Sequence, residues 1–90
     1  MQQAIGIIET NSWGAIAAGL DTMLKASNVR LVKYDLVGGI WISVYVAGDI
    51  NAVRAAVESA QAQFGSVPAV QIKGTVISNP SREFLELYEL

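Results

Sequence analysis

Glu9 is the first side chain in this sequence with the chemistry of a catalytic acid, and no second titratable group stands near it in sequence. Proton transfer needs a positioned partner within hydrogen-bond reach, and the segment around Glu9 offers none. Histidine and cysteine are both absent. That removes thiolate nucleophiles, the usual zinc ligands, disulfides and any Ser-His-Asp arrangement together. No remaining side chain has an unperturbed pKa near about 7. A phosphate-cradling loop would need an arginine, and the stretch from Ala4 to Gly14 holds none. The basic residues Lys25, Arg30, Lys33, Arg54, Lys73 and Arg82 form no continuous run, and the net charge is −2. A chain with that balance lacks the field that holds a nucleic-acid backbone. The sequence therefore reads as no enzyme, with no cofactor, no metal and no nucleic-acid partner.

The composition points instead to association. Of the 90 residues, 52% are hydrophobic and only 16% are charged. A chain this short buries only about 60% of the surface its unfolded form exposes. Surplus apolar surface on so small a domain marks a protein–protein interface. A membrane span needs about 20 consecutive apolar residues, and the clean runs here, such as Ala15–Ala18 and Val44–Ala47, are far shorter. Met1-Gln2-Gln3-Ala4 lacks the basic and apolar regions of a secretion signal. The expectation is one cytosolic domain over residues 1–90, with no membrane partner.

Periodicity gives the elements. Gln3 to Thr10 reads as a strand, with Asn11-Ser12 as a helix N-cap. Ile16, Leu20, Met23 and Leu24 then fall on one helical face, and Asn28 is the expected terminator. Val29 to Val37 and Ile40 to Gly48 read as strands joined by Gly38-Gly39, a tight-hairpin signal. Asp49 is the cap of a second helix carrying Ile50, Val53, Val57, Ala60 and Phe64, closed by Gly65 at C′. Val67 to Ser78 is the expected fourth strand. Asn79-Pro80 reads as the cap and first residue of a short helix whose apolar stripe is Phe84, Leu87 and Tyr88. This β-α-β-β-α-β order plus a terminal helix predicts an α+β, ferredoxin-like fold: a four-stranded antiparallel sheet with two helices on one face. The other face needs a cover.

Several of these segments in register resemble the bacterial microcompartment shell domain, the BMC domain. Ala4-Ile5-Gly6-Ile7-Ile8-Glu9-Thr10 is similar to the family's opening strand. Leu20-Asp21-Thr22-Met23-Leu24-Lys25-Ala26-Ser27-Asn28-Val29 resembles its Ala-Asp-Ala-Met-x-Lys-Ala-Ala-Asn-Val signature. Val44 to Val53 matches its third strand, Gly-Asp turn and second helix. The resemblance implies a cyclic hexamer that tiles into a flat facet, with a central pore for small metabolites. A head-to-tail contact closes into a ring of six only when its rotation is about 60°.

Residue by residue, the resemblance implies that Lys25 is an edge lysine reaching a neighbouring hexamer, with Asn28 beside it. The family commonly carries Arg-Pro-His after its last strand; here the triplet is Asn79-Pro80-Ser81, and Arg82 is the nearest arginine. The family's Gly-Ser-Gly pore hairpin corresponds to Gly38-Gly39-Ile40, and Leu36 stands where many relatives have a lysine. A pore lined by backbone at Gly38 and Gly39, free of side-chain charge and narrowed by Ile40, is the expectation. Backbone amides there are expected to form an anion-attracting concavity. Trp13 and Trp41 are expected in packing or subunit contact. Glu83, Glu86 and Glu89 mark a solvated face of the terminal helix, or a docking site for cargo peptides. Other shell proteins are implied partners.

Two further readings of the same topology stay open. ACT-like regulatory modules share it and bind small ligands at a subunit interface through a Gly-rich turn, for which Thr10-Asn11-Ser12-Trp13-Gly14 is the candidate. An acylphosphatase-like enzyme is disfavoured by the missing arginine. A dimer separates the sensor from the ring-forming tile.

Overall fold

Strand β1 (Ala4–Thr10) shows why the sheet has two unlike faces. Successive side chains of a strand point to opposite sides. Ala4, Gly6, Ile8 and Thr10 are buried beneath helices, while Ile7 and Glu9 on the other side are only half-buried. The computed structural model describes residues 3–90, apart from the Val37 side chain. Met1 and Gln2, which enter the secretion-signal expectation, lie outside the described residues.

After β1 come α1 (Trp13–Ala26), β2 (Val29–Val37), β3 (Trp41–Gly48), α2 (Ile50–Phe64), β4 (Ile72–Ile77) and α3 (Arg82–Leu87). The four strands lie in the order β2-β3-β1-β4, and all neighbours are antiparallel. This is the expected ferredoxin-like α+β arrangement. The helices start where their caps place them. Ser12 Oγ accepts from the Ala15 N–H at 3.1 Å, and Asp49 Oδ2 accepts from the Asn51 N–H at 3.0 Å.

Both long helices lie on one face, where Ile16, Met23, Val53, Val57 and Ala60 close over Ile8, Ile42, Val44 and Val46. α2 can approach β1 because residue 6 is glycine. A Cβ on Gly6 would stand 2.8 Å from Val53 Cγ1 and 2.9 Å from Val57 Cγ2. The second face is covered at one end by α3 and the last residue: Phe84, Leu85 and Leu90 pack on Ile5, Tyr45 and Ala47. Lys33 Nζ donates to the Tyr88 carbonyl at 2.9 Å, and the Tyr88 ring lies 4.8 Å from that of Phe84.

Several boundaries differ from the sequence reading, each for a local reason. β4 begins at Ile72, not Val67, because residues 66–70 form turns: Val70 N–H donates to the Val67 carbonyl, and Ala69 takes φ 68°. Gly65 stays right-handed at φ −61°, so it is not a left-handed cap. α1 ends at the cap Ser27, whose N–H reaches the Met23 carbonyl, one residue before Asn28. Ser81, not Asn79, caps α3, accepting from the Phe84 N–H at 3.1 Å. Leu24 and Leu87 are exposed, at 42% and 78%, so neither belongs to its predicted buried stripe. The β2–β3 connection has three residues, Gly38, Gly39 and Ile40, and β3 starts at Trp41.

Gly6→Ala tests the close approach of α2. Overpacking of a tight core site costs roughly 1–3 kcal/mol. The variant is expected to show a lowered denaturant midpoint with an unchanged slope.

Candidate functional site

The candidate residues fall at two opposite ends of the sheet. At one end the chain reverses through Gly38 (φ 64°) and Gly39 (φ 78°). Both lie in the left-handed region, which glycine enters without a Cβ clash. A Cβ at either position would have nothing within 4 Å, so the requirement is on the backbone and not on space. Ile40 is 69% exposed and Leu36 is 48% exposed. The structure therefore brings all four pore candidates, Leu36, Gly38, Gly39 and Ile40, to one hairpin tip. Gly38 and Gly39 share one backbone hand, whereas an anion-binding nest of the αR-αL kind alternates it.

The other end carries the edge candidates. Val29 pairs with Gly48, Gly48 with Ala4, and Ile5 with Ile77. Asn28, just before β2, and Asn79, just after β4, thus flank the same end of the sheet. They adjoin the two outer strands, which lie three strand spacings or roughly 14 Å apart. Lys25, in the last turn of α1, pairs with Asp21 at 2.9 Å, and both side chains are largely exposed, 77% and 62%. Such a pair is worth about 0.2–0.5 kcal/mol and leaves the ammonium available. Asn79 and Arg82 are exposed as well. β2 alone runs about 30 Å between the two ends. The molecule is a slab of 39 × 28 × 15 Å.

Along one flank runs a third feature that residue-by-residue reading did not locate. Leu31, Tyr34 and Leu36 of β2 oppose Val46, Val44 and Ile42, so they stand on the helix-bearing face. The helices leave them largely exposed. Leu31 and Tyr34 are 42% and 65% exposed, and Trp13 on α1 is 61% exposed. Between α1 and β2 lies an apolar groove of about 250 Å³, lined by Trp13, Ile16, Leu20, Leu31, Tyr34 and Val44. The composition announced surplus apolar surface; its address needed the knowledge that β2 is an edge strand. Trp13 is thus a surface residue, while Trp41 is half-buried with Lys73 Nζ 5.4 Å from its ring centre.

Glu9 sits opposite Ser43 on one side and Lys73 on the other. Burial pushes the Tyr45 phenol above its ordinary range, reinforced by Tyr88, Asp35 and Glu9. Among the described residues no group of three or more acidic side chains is placed to hold a metal ion. No helix of the described residues is long and apolar enough to cross a membrane.

Known proteins share this arrangement. The BMC domain matches residues 4–80. The chain is 38% identical over 74 residues to the bacterial microcompartment shell protein PduA of Salmonella typhimurium, covering 79% of each chain. It is 34% identical over 86 residues to the carboxysome shell protein CcmK2 of Synechocystis sp., covering 96% of this chain and 84% of that one. A crystal structure of a microcompartment protein from Desulfitobacterium hafniense DCB has the same fold, with a TM-score of 0.77 at 24% identity. The match covers 94% of this chain and 46% of that longer one.

The hairpin glycines carry a prediction of their own. Gly39→Val meets no neighbour, yet forces a branched side chain into the left-handed region at a cost of roughly 1–2 kcal/mol. Thermal melts are expected to show that loss for Gly39→Val and a smaller one for Gly39→Asn.

Proposed function

We infer the function of this chain from one premise: it belongs to the BMC domain family. Its role is structural. It is a shell protein of a bacterial microcompartment, forming cyclic hexamers that tile into a facet and assembling with copies of itself and other shell proteins. The setting is the cytoplasm. The whole chain, residues 1–90, acts as one shell domain. A role that consists of packing needs no reaction, and a sequence without histidine or cysteine supports a chain that catalyses none.

The observation that carries the assembly is the separation of the two ends. The Gly38–Ile40 hairpin points to the ring axis, where it borders a pore for small metabolites. Lys25, Asn28, Asn79 and Arg82 face outward and meet the adjoining hexamer. With the axis at one end and the rim at the other, the β2 and β4 flanks must be the sides of each wedge. Head-to-tail closure then seats the α1/β2 groove against the β4 side of the next copy. This is the heterologous contact a ring requires. Apolar area removed from water contributes about 25 cal/mol per Å², and the exposed Trp13, Leu31 and Tyr34 supply it. Cargo peptides have a candidate seat on the acidic surface of Glu83 and Glu86 on α3 and of Glu89, which follows the helix in a left-handed conformation at φ 58°.

Native mass tests the reading. Six copies of a 9.6 kDa chain give about 58 kDa. The wild-type protein is expected at that mass by light scattering, and Leu31→Asp at the mass of smaller species. A stable dimer at every salt concentration would contradict the ring and return attention to the ligand-sensing alternative. At the rim, Asn79→Arg is expected to extend two-dimensional sheets beyond those of the wild type under identical salt. Equal sheet growth would show that residue 79 does not limit tiling.

A further inference from the structure

The pore that the proposed ring encloses would be bordered by side chains of one kind, and their chemistry names the solute. Ile40 and Leu36 are exposed at the hairpin, 69% and 48%, and Gly38 and Gly39 add only backbone. The ionisable groups near this end stand on the sheet face opposite Leu36. Asp35 opposes Ser43, whereas Leu36 opposes Ile42, so Asp35 stands on the face away from Leu36. Lys33 Nζ is held by the Tyr88 carbonyl at 2.9 Å. Lys73 Nζ lies 5.4 Å from the ring centre of Trp41, and Glu9 is half-buried beside Lys73 in the sheet.

Resting on the ring assembly proposed above, we propose that this pore passes small uncharged organic solutes and holds back hydrated inorganic ions of either sign. The selective element is a collar of Ile40, backed by Leu36, repeated about the axis. An apolar constriction dewets readily. An ion entering it must give up hydration with no charged side chain of the collar to replace the lost water, a cost far above that of a neutral solute. The glycine backbone offers hydrogen-bonding groups to a hydroxyl or carbonyl compound without adding a full charge. Asp35, on one face of the slab, biases the approach of ions to one mouth but does not stand at the collar.

The absence of cysteine makes the test direct. Ile40→Cys places one thiol per chain at the collar, and cysteine remains a small, weakly apolar side chain. Ala62→Cys places one on the exposed outer surface of α2 as a reference. Each purified ring, its mass confirmed, is treated with three methanethiosulfonates of similar size: one neutral, one anionic and one cationic. At residue 40 both charged reagents are expected to react about ten-fold more slowly relative to the neutral one than they do at residue 62. Equal charged-to-neutral ratios at the two positions, in rings of intact mass, would overturn the proposal. So would a cationic reagent that matches the neutral one. If Ile40→Cys prevents ring formation, Leu36→Cys with Ile40 retained carries the same comparison and the same criteria. A wild-type chain that forms no ring overturns the proposed assembly itself, and the pore with it; unequal mass and unequal reactivity are therefore separate failures.

Discussion

Two helices cannot cover four strands, and the shortfall shapes this molecule. α1 and α2 close over β1, β3 and the inner side of β4, where Val53, Ala56, Val57 and Ala60 are completely or almost completely buried. β2, at the edge of the sheet, keeps Leu31, Tyr34 and Leu36 on the same face without a roof. Fully burying one such side chain contributes about 1.5–3 kcal/mol. In the proposed ring, a second copy supplies the cover. The edge strand also has unpaired backbone groups, which natural proteins protect with charges or a bulge. β2 has both: Arg30, Lys33 and Asp35 along its length and a register shift between Leu31 and Lys33.

The opposite face is managed within the chain. α3 is only six residues long, yet it seats Phe84 and Leu85 over Ile5, Tyr45 and Ala47. The Lys33 bond to the last turn of α3 ties this cover to the edge strand. The result is a thin slab whose largest uncovered apolar strip runs along the β2 flank. Incomplete burial confined to a flank favours growth in a plane, which is the geometry a tile needs. The long axis of β2 then sets the distance from hairpin to rim, and the same sequence stretch links the pore candidates to the tiling candidates.

Much of this was legible in the residues. β1, α1, β2, β3 and α2 were readable to within about one residue because hydrophobic period changes coincide with strong caps at Ser12 and Asp49. β4 was overextended because Val67, Ala69 and Val70 look like strand residues, while Pro68 and the hydrogen bonds of the turn decide otherwise. Asn79 has the chemistry of a cap, but Ser81 has the position, one residue before Arg82. The hairpin was visible in Gly38-Gly39, although its third residue was not. The proposed rim positions rest on resemblance alone, since nothing in the local pattern of Lys25 or Asn79 distinguishes them from solvated surface. The apolar flank was invisible residue by residue: Tyr34 and Leu36 alternate like core positions, and only the strand order makes them surface.

The proposed tile has its hairpin end at a six-fold axis and its Lys25 end at the rim. A cryo-electron microscopy map of the purified assembly examines both halves at once. The expected map is a ring of six subunits with Gly38–Ile40 nearest the axis, Lys25 and Asn79 at the perimeter, and the Trp13–Tyr34 groove closed by the adjacent subunit. A ring with the hairpins at its perimeter, or a closed dimer with the Trp13–Tyr34 groove still open to solvent, would contradict it.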